Sequence, residues 1–176
     1  MQDEYELKLV QDYVNLLGKM YIILLSSIDE FLGVSLSTNE KIVLQILDEK
    51  PVSIKEISLM TGLALSTLTN VIDKMEEKHL VRRRPSRTDR RMIKIELKAA
   101  GRRAKEKFNS VIRQVSSSLL SILSEEDRAY FVGALQRTAL SLSREADRAG
   151  DLVGTFLEPL KMTLARQFNK KKSPST

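Results

Sequence analysis

The side chains best equipped for chemistry in this chain are cations. Residues 78–94 read KHLVRRRPSRTDRRMIK, eight Lys or Arg against one acid, Asp89, a local balance of +7 in a chain whose total is +6. Guanidinium and ammonium groups crowded this closely do not make or break bonds by themselves. They create a field that attracts a polyanion backbone. Little else points to catalysis: there is no Cys and a single His, His79, with no phosphate-binding glycine loop and no H-E-x-x-H run. The remaining carboxylates fall in helical charge patterns whose default role is surface solvation. The expectation is a binder and not an enzyme, with no catalytic residue, no cofactor and no metal.

Composition sets the frame. A chain of 176 residues can bury roughly 70% of its unfolded surface, so a true core is possible without staples. The absence of Cys excludes disulfides, thiolate redox sensing and Cys-ligated metal sites, which fits a reducing compartment. Uninterrupted apolar runs reach only about four residues, and the opening MQDEYELKLVQDY is acidic and polar where a signal peptide is basic and then apolar. The expected location is cytoplasmic, with no membrane partner.

The elements that must position the basic run are mostly helical. Residues 3–31 place Leu7, Val10, Val14, Leu17, Tyr21, Leu24, Leu25 and Ile28 three and four apart, which predicts one helix of about seven turns with an apolar stripe. Ser37 with Glu40, and Ser53 with Glu56, have the capping-box spacing, and Val52 with Ile57 adds a hydrophobic staple. Gly62 permits a tight corner, after which Ser66 is expected to cap a third helix running to about Lys78. Its apolar side is Leu68, Val71, Ile72 and Met75, and its first polar turn holds hydroxyls and an amide. Two short helices across a Gly-containing turn form a helix-turn-helix arrangement. Residues 83–91 then read as a turn-rich loop bent at Pro85 and Thr88-Asp89. Ile93, Ile95 and Leu97 alternate with Lys94 and Glu96, a half-buried strand paired antiparallel with residues around 80–84. Helical periodicity returns from Ala99 through Ile122, and Ser124 caps a further helix. Val153, Phe156, Leu157, Leu160, Leu164 and Phe168 continue the pattern, interrupted by Pro159, before a basic tail.

Ser66-Thr67, Asp73-Lys74-Met75-Glu76, Leu80-Val81, Asp89-Arg90-Arg91, Leu97 and Gly101 together resemble the winged helix-turn-helix core of the MarR family of bacterial transcriptional regulators, over residues 37 to about 101. The flanking helical stretches agree with the family at the level of pattern. Two positions depart from it: His79 stands where the family usually has Gly, and Lys98 where it commonly has Thr. His is among the less unfavourable non-Gly residues for a left-handed backbone, so His79 reads as a helix terminator, with a ligand role as the alternative. Lys98 removes a good cap from the helix that follows.

The resemblance implies a mainly α fold with a small β wing, a winged helix-turn-helix core flanked by long N- and C-terminal dimerisation helices. The corresponding division is residues 1–36 and 99–169 for dimerisation, 37–98 for DNA binding and 170–176 as a basic flexible tail. It implies a repressor acting as a homodimer on an inverted-repeat double-stranded operator. Ser66, Thr67, Thr69, Asn70 and Lys74 would face the major groove. In the wing, Asp89 would orient Arg91 toward the minor groove, with Arg84, Arg87 and Arg90 as phosphate or secondary groove contacts; Asp89 also suits a simple turn. Tyr13, Leu17, Met20 and Tyr21 would line a cleft for a small aromatic or amphipathic effector, although an ordinary core stripe has the same spacing. Residues 152–168 are expected to extend the dimer bundle, a basic amphipathic membrane helix being the rival. An architectural DNA binder and a winged-helix protein-interaction module are the alternative functions.

Overall fold

A computed structural model of the protein describes residues 2–86 and 92–145. Helix α1, Gln2–Ser27, is shorter than the single rod expected from its stripe, because the chain breaks at Ile28 and resumes as α2, Asp29–Leu32. The carbonyls at that point have other donors. The Ser26 and Ser27 hydroxyls donate to the Ile22 and Ile23 carbonyls at 2.6 and 2.9 Å, a back-bonding pattern that bends helices. The buried Lys41 ammonium donates to the Leu25 carbonyl and pairs with Asp29 at 3.0 Å.

Both capping boxes form. Ser37 opens α3, Thr38–Ile46, donating its N–H to Glu40 at 2.6 Å and accepting from the Glu40 N–H at 3.4 Å. Ser53 opens α4, Ile54–Thr61, with the equivalent distances 2.8 and 3.2 Å to and from Glu56. The next helix, α5, Leu65–Glu77, starts differently from expectation: Ala64 is its N-cap, no side chain caps it, and Ser66 lies inside its first turn. Side chains of the preceding helix close this corner instead. Gly62 takes the left-handed conformation at φ 70°, the Ser58 hydroxyl donates to the Leu63 carbonyl at 2.7 Å, and Thr61 Oγ1 accepts from the Leu63 N–H at 3.2 Å.

The C-terminus of α5 closes as a Schellman motif. His79 adopts φ 57°, its N–H donates to the Glu76 carbonyl at 2.9 Å, and the Leu80 N–H reaches back to the Met75 carbonyl at 2.9 Å. Met75 and Leu80 are both buried beneath it, which supplies the apolar contact this motif favours.

The wing is a three-stranded antiparallel sheet, ordered β1-β3-β2, where the alternation predicts two strands. Strand β2, Val81–Pro85, pairs with β3, Ile93–Leu97, and the two residues of β1, Val52–Ser53, add to the other side of β3 through Val52↔Ile95 and Ser53↔Lys94. Arg83 and Arg84 are strand residues, as the pairing expected around 80–84 requires, and the strand runs one residue further, through Pro85, the residue expected at the bend. Pro85 is tolerated because β2 is an edge and Pro85 is its last residue. Ile95 and Leu97 enter the core as the alternation predicts, whereas Ile93 is 41% exposed, since its partner is Pro85 at the far end of the ladder.

The core sits where α3, α4 and α5 meet the sheet, around Val43, Leu44, Leu47, Ile57, Leu68, Ile72, Met75, Val81 and Ile95. Helix α6, Ala99–Ser121, closes it with Ala104 and Phe108. A Cβ at Gly101 would stand 2.1 Å from the Leu80 carbonyl oxygen, so only glycine lets α6 cross the start of β2 this closely. Lys98 is the N-cap of α6 and makes no side-chain capping bond. Helix α7, Glu125–Glu145, is capped by Ser124, which accepts from the Asp127 N–H at 3.1 Å. Residues 146–176, including the stripe from Val153 to Phe168, lie outside the described residues. No helix among the described residues is long and apolar enough to cross a membrane.

The left-handed His79 yields a direct prediction. A residue with a Cβ costs about 1–2 kcal/mol there, and glycine returns about 0.5–1 kcal/mol of that through unfolded-chain entropy. His79→Gly should therefore stabilise the protein by about 0.5–1 kcal/mol, raising the thermal midpoint by about 1–4 °C. A lowered midpoint in calorimetry would contradict the strain assigned to this position.

Candidate nucleic-acid interface

Four helical candidates, Ser66, Thr69, Asn70 and Lys74, are exposed on the outward side of α5, while Thr67 is half-buried. They share that side because Leu68, Val71, Ile72 and Met75 occupy the opposite one and are buried. Thr69 donates its hydroxyl to the Leu65 carbonyl at 3.0 Å, leaving its oxygen to accept. With Ala64 as N-cap, no side chain caps the first N–H groups of α5. A helix start of that kind favours anions.

In β2 the three consecutive arginines separate by strand alternation. Arg83 faces α5, where Nη1 pairs with Glu76 at 2.6 Å and Nη2 with Asp73 at 2.6 Å. The Arg83 N–H also donates to the other Glu76 oxygen at 3.1 Å. One guanidinium fork thus joins the wing to the helix. Burial lowers the basicity of Arg83, but its bonds to Asp73 and Glu76 outweigh that and raise its pKa.

Arg82 and Arg84 point from the opposite side of the strand to Glu96 on β3. Arg84 Nη1 lies 3.0 Å from Oε2, and Arg82 bonds Oε1 through both Nε and Nη2. Burial pushes Glu96 upward, yet hydrogen bonds from Arg84 and Arg82 hold it below the ordinary carboxylate range. Arg84, which the resemblance implies as a phosphate or secondary groove contact, is half-buried and spends its guanidinium on Glu96 within the sheet. Arg87, Asp89, Arg90 and Arg91 lie outside the described residues. The described ends of that segment are tied together, Ser86 donating its N–H to the Met92 carbonyl at 2.8 Å.

The other end of α5 is anchored by Lys78, whose ammonium bonds both Glu40 oxygens at 2.8 and 2.9 Å and the Ser35 carbonyl at 2.9 Å. Glu40 is 1% exposed. Burial would raise its pKa, but Lys78 and the capping bonds with Ser37 outweigh that and lower it. Neither this pair nor the Arg83 fork follows from sequence pattern, since each joins residues from separate elements. Asp73 and Glu76, three apart on α5, are the one sequence signal for the fork.

Of the cleft candidates, Tyr13, Leu17 and Tyr21 are exposed along α1 and Met20 is half-buried. The Tyr21 hydroxyl accepts from the Gln45 amide at 3.1 Å, linking α1 to the lobe.

A helix-turn-helix followed by a hairpin locked to its second helix defines a winged-helix DNA-binding fold. Residues 32–92 match the family model described as MarR family. The HTH-type transcriptional regulator YpoP of Bacillus subtilis (strain 168) is 33% identical over 103 residues, 58% of this chain and 73% of YpoP. Streptococcus pneumoniae FabT, solved in complex with DNA, superposes with a TM-score of 0.63 at 20% identity, over 78% of this chain and 97% of FabT. S. aureus MepR bound to ethidium bromide gives 0.53 at 22% identity, over 74% of this chain and 96% of MepR. The chain belongs to the MarR family of transcriptional regulators.

Glu40 makes stability depend on pH with a definite sign. Its folded pKa lies below the ordinary 4.5, so its contribution is complete above that value and is lost as pH falls through the folded one. The thermal midpoint should drop as pH falls below about 4.5, and Glu40→Gln should be less stable at neutral pH with a shallower acid slope. Parallel slopes for the two proteins would count against this assignment.

Proposed function

We propose that this protein is a repressor that binds an inverted-repeat operator as a homodimer. The outward side of α5 reads the major groove through Ser66, Thr67, Thr69, Asn70 and Lys74. The wing segment carrying Arg87, Asp89, Arg90 and Arg91 enters the neighbouring minor groove, Asp89 holding Arg91 in one pose so that less entropy is lost on entry. The single observation that carries this reading is the Arg83 fork, because it fixes the helix and the hairpin as one body that can meet one stretch of duplex. FabT, described in complex with DNA, supports it through the shared fold.

Residues 37–98 form the DNA-binding unit in this reading, and residues 1–36 and 99–169 the dimer contacts. Support comes from apolar surface left exposed among the described residues. On α1, Leu7, Val10, Val14 and Leu17 are exposed, as are Val115, Leu119 and Ile122 at the end of α6 and Tyr130 and Leu135 on α7. Helices this apolar bury their stripes against others. A two-fold axis would then set the reading helices roughly 34–36 Å apart.

Release by a small aromatic or amphipathic effector bound along Tyr13, Leu17, Met20 and Tyr21 completes the proposal. MepR, described bound to ethidium bromide, supports that part. The effector would stabilise a spacing of the two halves that does not fit the operator.

Selection of bound duplexes from a random pool tests symmetry, spacing and specificity together, and should recover an inverted repeat. On the recovered duplex Arg91→Ala should weaken binding overall. Asn70→Ala should mainly relax base preference, by about 1–3 kcal/mol of discrimination. Equal losses on selected and scrambled duplexes for Asn70→Ala would reject base reading by α5, and a pool without enrichment would reject sequence-specific binding.

A further inference from the structure

The outer side of the wing sheet carries Arg82, Arg84 and Lys94 around Glu96, with Glu49 from the loop before β1 lining the same hollow as Arg84, Lys94 and Glu96. Strand register places Arg82 opposite Glu96 and Arg84 opposite Lys94, so all four side chains share one side of the sheet. Glu96 spends one oxygen on each arginine. Its side chain is 12% exposed, against 61% for Arg82 and 34% for Arg84, so the acid lies beneath and the guanidiniums above. Two like charges at alternate positions of one strand repel, and a carboxylate between them relieves this. A guanidinium held in charge-assisted bonds must give them up to grip a phosphate.

We propose that Glu96 is a specificity-determining residue: by tethering Arg82 and Arg84 it withholds two cations from sequence-independent phosphate contact. This inference rests on the DNA-binding reading above. Arg84 is three positions from Arg87 and so is carried to the duplex whenever the wing is. Phosphate contacts from this side would strengthen binding to any sequence alike and so shrink the ratio of operator to random affinity. The acid keeps the basic run from acting as an unselective polycation. Part-exposed ion pairs are weak, so the effect is several-fold and not orders of magnitude.

The experiment compares wild type, Glu96→Gln, the double variant Arg82→Gln/Arg84→Gln and the triple variant, titrated onto a random-sequence duplex of about 30 bp at several salt concentrations. Glu96→Gln should bind about 3–10-fold tighter, with a salt slope steeper by about 1–2, since each new phosphate contact adds about 0.9. The double variant should lose less than about twofold on the wild-type background, and the gain should vanish in the triple variant. A gain that persists in the triple variant reduces Glu96 to a matter of net charge and overturns the proposal, as does an unchanged affinity. Should Glu96→Gln fail to fold by circular dichroism, the double variant decides alone: a loss of tenfold or more on the wild-type background means the arginines already grip DNA. Wild type that binds no duplex rejects the DNA reading itself, whereas wild-type binding with these other failures rejects only the role of Glu96.

Discussion

The fork of Arg83 between Asp73 and Glu76 joins helix α5 to the wing, and the proposed reading of duplex depends on it. Helix α5 is held from behind by its buried side chains and the base of the hairpin by Val81, Ile95 and Leu97 in the core, while the fork ties β2 directly to α5. The guanidinium suits the task because its planar, always-charged fork engages two carboxylates at fixed angles, which a lysine ammonium cannot do. Partial exposure limits how much the fork stabilises the fold. Its contribution is geometric: helix and hairpin keep one relative pose, as the proposed reading of one duplex by both requires.

Cations perform similar positioning elsewhere. Lys78 ties the end of α5 to Glu40 at the start of α3. Lys41 gathers the broken end of α1 and the Asp29 carboxylate. Lys105 reaches from α6 to the Gln45 carbonyl at 3.0 Å and toward Asp48 at 3.7 Å, near the end of α3. The long helices α1 and α6 are thereby joined to the DNA-binding lobe through ammonium groups set on carbonyls and acids. These contacts sit beside an apolar seam in which Leu25 of α1 and Ala104 and Phe108 of α6 enter the core. That linkage fits the proposed effector release, in which a change among the long helices would have to reach the DNA-binding lobe.

Local chemistry is legible in the order of the residues alone. Both capping boxes, the buried face of α5, the terminating role of His79 and the Ser124 cap depend on residues within about four positions of one another. Legibility ends where distant residues decide. Ser66 loses its expected capping role because Ser58 and Thr61 organise the preceding corner. Strand β1 is two residues long and has no period to detect. The break after α1 is driven in part by Lys41, remote in sequence. Arg82, Arg83 and Arg84 read as one basic block, yet alternation sends the middle one to α5 and the outer two to Glu96. The basic run is therefore less open than its charge count suggests, and its remaining arginines, Arg87, Arg90 and Arg91, lie outside the described residues.

The most direct measurement is the affinity of Arg83→Met for a duplex selected by the wild-type protein and for a scrambled duplex of equal length, across a salt series. If Arg83 is committed to the protein's own acids, specific affinity should fall about tenfold or more. Binding to the scrambled duplex and the salt slope should stay nearly unchanged, because no phosphate contact is lost. Equal losses on both duplexes with a slope reduced by about 0.9 would mean that Arg83 itself grips the backbone, and would contradict the view of helix and wing as one rigid reading head.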